Sequence, residues 1–390
     1  MTRPAFLPTP EQEILLKAAL LSGDEARSAF AQWAVSVDFD RLDKGSFRLL
    51  PALHLNLKEL GVTHALTPRL LSVYRSTWYR NQILLDRAAS VIRRLAQHGI
   101  DSVLLKGAAL ASGAYGDPGA RPMSDADLLV RKKDVRAAVA LLCESGWNPW
   151  PPVSSRRFES YFTTKHAAAF RDGEGRELDL HWHLFFRDRA GAADESVWER
   201  SRIVRLGDGP ARILSPADLL LHVVVHGCES SPIPPIRWVA DAYGILRHSP
   251  DLDWDLVVES ARVRRFVLAM LDGLEYLVRV LRAPVPPEAL RALRTIPVSR
   301  LEEEDRVLRA LPAWPPRLRA VTRRVLLDYA FIAPRETTPL AARVAGFPRF
   351  LRDRWALESF GRMPGFVLGS LLRHARRVMG RRPAAAPSRS

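Results

Sequence analysis

Apolar residues recur at helical spacing over residues 11–34, 45–60 and 68–98. The last of these segments opens with Pro68 and stops at Gly99, a start and stop pair that suits a long helix. The pattern then changes. IDSVLLKG (100–107) is a short unbroken apolar run closed by glycine, which predicts a buried strand. AALASGAYG predicts a short helix ending at Gly116, DPGARP a loop, DADLLV a second strand, and KKDVRAAVALLCESGW a helix ending at Gly146. HAAAFRDGEGRELDLHWHLFF predicts a hairpin turning at Asp172–Gly175. Beyond Pro210 helical spacing returns. Ser215 with Pro216 signals a helix start before ADLLLHVVVHG, PPIRWVADAYGILRH begins another helix, and amphipathic helices continue to about residue 380. The expected organisation is an N-terminal helical region (1–98), a mixed α/β core with a small sheet (99–208), a C-terminal helical region (209–382) and a disordered tail (383–390).

Composition narrows the classes. With 47% apolar and 26% charged residues, 390 residues suffice for a sizeable core. No run of 18 apolar residues suggests a membrane span, and MTRPAFLPTPEQEILLK does not have the pattern of a secretory signal. Cys143 and Cys228 are isolated within helical patterns, so a disulfide framework or a cysteine-zinc site is not expected, and a reducing cytoplasm fits. The formal charge of +15 raises the question of nucleic acid. Only seven of the 58 basic residues are lysine, a skew that coding bias explains as readily as phosphate binding. The excess also concentrates in residues 301–390, which carry 18 arginines, no lysine and 8 acidic residues. Residues 364–382 read as a basic amphipathic helix, able to rest on an anionic membrane, meet a partner or dock on its own domain.

The chemistry concentrates in RPMSDADLLV (121–130). Side chains at i and i+2 of a strand share a face, so Asp125 and Asp127 point the same way. Such a pair is either the solvated start of a strand or a site for a cation, because two close carboxylates stay ionised together only with positive charge between them. Mg²⁺ suits an all-oxygen pair. In the second hairpin strand Leu178, Leu180, Trp182 and Leu184 take one face, and Glu177, Asp179, His181 and His183 the other. Asp179 can thus supply a third carboxylate. Lys106 and Gly107 close the first strand just before a helix start, where free backbone N–H groups and a missing side chain favour a phosphate.

Strand, Lys-Gly turn, helix, D-x-D strand and a third acid on a later strand: this order resembles the nucleotidyltransferase superfamily that includes DNA polymerase β. More narrowly, LLKGAALASGAYGDPGARPMSDADLLV…ELDLHWHL resembles the group of uncharacterised nucleotidyltransferases, some of them tied to lasso-peptide and other peptide natural-product clusters, over about residues 68–250. Superfamily enzymes usually carry Gly-Ser where this chain has Lys106-Gly107. The resemblance implies Mg²⁺-dependent transfer of an NMP from an NTP, ATP among them, to a hydroxyl or phosphate acceptor, whether peptide, protein, small molecule or RNA. Asp125, Asp127 and Asp179 would hold the metal, and Asp179 would also help take the acceptor's proton. Lys106 and Gly107 would meet the phosphates, Arg121 the leaving pyrophosphate, and His181 a metal-bound water or the acceptor. The competing reading is an inactive module that binds a nucleotide or a peptide.

Other residues carry weaker signals. His222 and His226 are spaced i, i+4, but the glutamate of a zinc-protease helix is absent. His226, Arg237 and Asp241 are expected to form a polar contact between two helices near the site edge, with Arg237 and Asp241 at the spacing of a helical ion pair. His166 opens the hairpin with no role assigned. Trp147, Trp150 and Trp182 could stack a base, although packing is the commoner fate of tryptophan.

Overall fold

The computed structural model describes residues 4–112, 116–187, 192–228, 236–311, 318–333, 338–355, 357, 359–366 and 368–369. Most of the expected basic helix (364–382) and the whole tail (383–390) lie outside the described residues. No described helix is long and apolar enough to cross a membrane.

Seven strands form one mixed sheet: β1 (Ser102–Leu105), β2 (Asp125–Val130), β3 (Asn148–Trp150), β4 (Ala167–Arg171), β5 (Glu177–His181), β6 (Arg202–Leu206) and β7 (Gly209–Ile213), in the order β3-β4-β5-β2-β1-β7-β6. The predicted strands β1 and β2 are there, as is the β4–β5 hairpin with its turn closed by the bond from Gly175 N to Asp172 O. β6 and β7 pair antiparallel, and β7 runs parallel to β1, so the sheet continues past residue 208. β2 is antiparallel to β1 and parallel to β5. It therefore lies between the Lys106 turn on one side and the third acid on the other.

Burial follows the strand alternation. Val103, Leu105 and Leu129 join the main apolar core with Leu220, Leu221 and Val224 of the helix Pro216–Cys228. Asp127 pairs with Leu105 across the sheet and sits two residues from Leu129, so it shares their face. The helix Thr67–Gln97, with Pro68 in its first turn, contacts β1, β2 and β7. Gly99 follows in the left-handed region at φ +70°.

The helix Pro216–Cys228 and the helix Arg237–His248 touch at Gly227, where an added Cβ would lie 2.1 Å from Trp238 Cγ and 2.2 Å from Trp238 Cβ. Neither atom is the free end of a side chain, so the helices themselves would have to part. Gly227→Ala is expected to cost about 1–3 kcal/mol by overpacking, outweighing alanine's better helix propensity. Denaturant melts measure it, and a variant as stable as wild type would show that this contact gives way freely.

The chain forms two compact units, Met1–Pro152 with His166–Ile332, and Val153–Lys165 with Ala333–Ser390. The sheet and the acids belong to the first. In the second, the helix Ser155–Thr164 packs on the helix Leu340–Arg354. Phe158 meets Tyr161 and Phe162 there, at ring-centroid distances of 5.5 and 5.4 Å.

Candidate active site

The parallel register of β2 and β5 sets Asp127 opposite Asp179 and Leu129 opposite His181. One ligand atom from each of Asp127, Asp179 and His181 lies within 4.8 Å of the others. This compact group differs from the expected trio of aspartates. Asp125 pairs with Glu177 at the start of the strand, is half-buried, and accepts a hydrogen bond from Ser124 Oγ at 3.1 Å. Its charge still acts on Asp179 and Lys106. His181, expected to handle a water or the acceptor, stands instead among the candidate ligands.

Lys106 lies at the junction of β1 and the helix Lys106–Ser112. Its Nζ donates to Asp127 Oδ1 at 2.5 Å, and His181 Nε2 lies 3.1 Å from the same oxygen. Asp127 is 3% exposed. Burial opposes its charge, yet Lys106 and the His181 hydrogen bond hold its carboxyl far below the usual range. Burial opposes the Lys106 charge as well, but Asp127, with Asp179 and Asp125 behind it, raises that pKa. Asp179 goes the other way: burial and the adjacent Asp127 charge push it up to about 6. Two facing carboxylates with opposite shifts mark a site short of positive charge.

The donor set fits a divalent cation. Two carboxylates and an imidazole converge, and His181 Nδ1 is buried without a hydrogen-bond partner among the described residues. His222 and His226 are not in this group, and no described grouping of metal-ligand type contains them. Instead His222 is buried, with Phe185 edge-on at 5.4 Å. Burial, followed by the Lys106 charge, lowers both imidazoles, His226 to about 3. His226 is nonetheless exposed.

Loop 116–124 delivers the acids and is pinned to the helix Thr67–Gln97. Asn81 Nδ2 donates to Pro118 O at 2.5 Å and to Arg121 O at 2.8 Å, and Met123 N donates back to Asn81 Oδ1 at 3.3 Å. Tyr74 OH donates to Asp117 Oδ2 at 3.0 Å. A Cβ on Gly119 would lie 2.4 Å from the Tyr74 ring, so glycine lets loop and helix meet.

Arg121 departs from expectation. Its Nε and Nη2 donate to Asp241 Oδ1 and Oδ2 at 2.7 and 2.8 Å, and both residues are about 5% exposed. The guanidinium is buried and engaged by both carboxylate oxygens of Asp241. It fixes the acid-bearing loop to the helix Arg237–His248. Gly107 is explained by the same residue: a Cβ there would come 2.2 Å from Arg121 Nη1, so the glycine makes room for an arginine. Arg237, expected as the helical partner of Asp241, donates from Nη1 to Pro122 O at 3.3 Å. Burial, Arg121 and Arg48 lower its pKa to about 10, while Asp241 and Asp125 act against them. Positive charge thus gathers beside the acids on residues that the sequence pattern left at the edge or did not mark.

His166 was also missed. Its ring stands edge-on to His181 at 5.3 Å. The hairpin register carried that signal, since Ala167 pairs with His181. Trp147 and Trp182 are buried, and Trp150, 45% exposed, carries the Arg171 guanidinium on its ring at 3.9 Å.

No curated protein matches the chain. Among solved structures, it is similar to an antigenic nucleotidyltransferase-like protein from Paracoccidioides brasiliensis, at 16% identity and a TM-score of 0.34, over 55% of this chain and 94% of that one. Residues 46–282, more than half of the chain and inclusive of every residue of the acid site, match the family described as uncharacterised nucleotidyltransferase. The chain belongs to the uncharacterised nucleotidyltransferase family.

Proposed function

We propose that the protein transfers an NMP from an NTP to a hydroxyl or phosphate acceptor at the Asp127–Asp179–His181 site, with Mg²⁺ as the physiological cation. The observation that supports this reading is the convergence of those three side chains within 4.8 Å. Asp127 and Asp179 hold the cation, with His181 beside them and Asp125 at the rim. A divalent cation held by these carboxylates would neutralise the charge of the triphosphate. Asp179, opposite Asp127 on the neighbouring strand, also helps take the acceptor's proton. Arg237, with Arg48 close enough to act on it, receives the pyrophosphate; this is the role the sequence assigned to Arg121. Arg121 and Gly107 act one step back, holding the loop and the turn. The free thiols Cys143 and Cys228 suit a reducing cytoplasm. The acceptor is a peptide, protein, small molecule or RNA, and modification of a peptide natural product is one setting that the family resemblance suggests.

Calorimetry with each NTP, with and without Mg²⁺, tests the reading. The Mg²⁺–NTP complex is expected to bind and the free nucleotide to bind far more weakly; equal affinities would remove the metal from the scheme. Arg237→Gln is expected to weaken Mg²⁺–NTP binding by about tenfold or more, the loss of one charge-assisted hydrogen bond. Unchanged affinity would take Arg237 out of the phosphate site. Binding with no pyrophosphate release for any NTP across an acceptor panel would leave a nucleotide-binding module without turnover.

A further inference from the structure

Two observations at Lys106 are not accounted for by a phosphate contact alone. The first is position. Its ammonium is 2.5 Å from Asp127 Oδ1, on the carboxylate that the bound cation needs. An ionised carboxylate only accepts hydrogen bonds, so His181 Nε2 donates to the same oxygen, which then serves two donors. A metal ion sits about 2.0–2.1 Å from its oxygen ligands, and a divalent ion and an ammonium this close repel each other across a buried carboxylate. The second is the backbone. Lys106 has φ +43°, in the left-handed region that glycine occupies without cost and other residues do not. A strained conformation kept by a long charged side chain signals that the side chain is used.

We propose that Lys106 is an internal counter-ion, a stand-in for the metal that keeps Asp127 occupied until the phosphates of an NTP draw its ammonium away. This inference rests on the metal-dependent reading above and adds an order of events to it. In the free protein Lys106 answers the charge of Asp127, with Asp179 and Asp125 also acting on it. The side chain is about one-fifth exposed, so water and solute reach it. A triphosphate offers several anionic oxygens to a compact ammonium on a flexible stem. As Lys106 moves to them, Asp127 is vacated at the moment the phosphates supply the rest of a cation's shell. Metal and nucleotide then enter together, and free metal alone is kept out. The acid pair does not collect stray divalent ions, and phosphates without a metal lack the partner that completes the site.

The test is Mn²⁺ binding by electron paramagnetic resonance on the full chain, with and without a non-hydrolysable NTP analogue. Wild type is expected to bind Mn²⁺ alone weakly and about tenfold or more tightly with the analogue. Lys106→Gly, which suits the left-handed backbone, is expected to bind Mn²⁺ alone about tenfold tighter than wild type and to show a smaller effect of the analogue. Lys106→Arg keeps the charge and is expected to exclude free Mn²⁺ as wild type does. Thermal melts in chelator should show Lys106→Gly less stable than wild type, with the loss recovered by Mn²⁺ alone. If Lys106→Gly does not fold, Lys106→Met carries the same expectations. A folded neutral variant that binds free Mn²⁺ no better than wild type overturns the counter-ion role while leaving the metal-dependent reading standing. No Mn²⁺ binding by any form, even with the analogue, overturns both.

Discussion

Asp127→Asn and Asp179→Asn are expected to lower transfer alike, by about 10³-fold or more, and to change stability in opposite directions. The common loss follows from the site: removing a carboxylate that holds the cation forfeits about 4 kcal/mol of charge stabilisation, which is three powers of ten in rate. The opposite stabilities follow from the two pKa shifts. Asp127 is depressed, so its contribution is present above the ordinary carboxylate value of 3.8 and is lost only in strong acid. Asp127→Asn leaves Lys106 and His181 without their anion at any neutral pH, and should cost about 1–3 kcal/mol. Asp179 is raised to about 6, so its contribution is present below 3.8 and is lost as the pH climbs through 6. At pH 8 the metal-free protein holds two ionised carboxylates face to face. Asp179→Asn relieves that and should give the more stable protein by about 1–2 kcal/mol, after discounting for the water that reaches the site. At pH 4 the advantage should vanish. Melts in chelator at pH 4, 6 and 8, beside a labelled-NTP transfer assay, check both halves. A destabilised Asp179→Asn at pH 8 would show that the carboxylate is structural and not a metal ligand awaiting charge.

Arg121→Leu or Asp241→Leu should cost more stability than any change at the acids. Each leaves a charge enclosed at about 5% exposure without its bidentate partner, and breaking such a pair costs about 3–5 kcal/mol. The double variant Arg121→Leu/Asp241→Leu should recover much of that, since apolar residues of similar size often replace a buried ion pair with little loss. Transfer should stay impaired in it, because the loop before Asp125 no longer has its clamp to the helix Arg237–His248. Denaturant melts through a double-mutant cycle give the coupling. Additive costs would mean that the two side chains act independently.

The legibility of the site in the sequence followed the range of each interaction. The shared face of Asp125 and Asp127, and that of Asp179 and His181, was legible because strand alternation fixes parity from sequence alone, and the β4–β5 turn fixes which residues of the second strand share a face. The pairing of Asp127 with Asp179 and not with Glu177 belongs to the β2–β5 register, which is set by the packing of the segments that connect them. That register put Asp125 outside the tight group and His181 within it. The ion pair of Arg121 was not legible because its partner Asp241 lies on a helix 120 residues away in the chain, and a lone arginine before two acids resembles a phosphate ligand. Lys106 was noticed as a scarce lysine, but the ion pair to Asp127 needed the antiparallel pairing of Leu105 with Asp127. Among the strands, β6 was missed because it is a largely exposed edge with arginines at 202 and 205, where apolar alternation fades. The helix Ser155–Thr164 was missed because polar residues surround its three aromatic positions, Phe158, Tyr161 and Phe162.

The second compact unit is assembled from two stretches of chain, Val153–Lys165 and the segment from Ala333 on, and this has a consequence during synthesis. A ribosome adding about 5–20 residues per second completes the helix Ser155–Thr164 roughly 9–35 s before it reaches the helix Leu340–Arg354. For that interval Phe158, Tyr161 and Phe162, all buried in the finished fold, have no lasting cover from their partner helix, and Ser160 has no Asp353 to bind. The nascent chain thus carries a small aromatic patch through nearly half of its elongation. Holdase chaperones that bind exposed aromatic segments have their longest opportunity here, and a stall upstream of residue 340 leaves that patch uncovered.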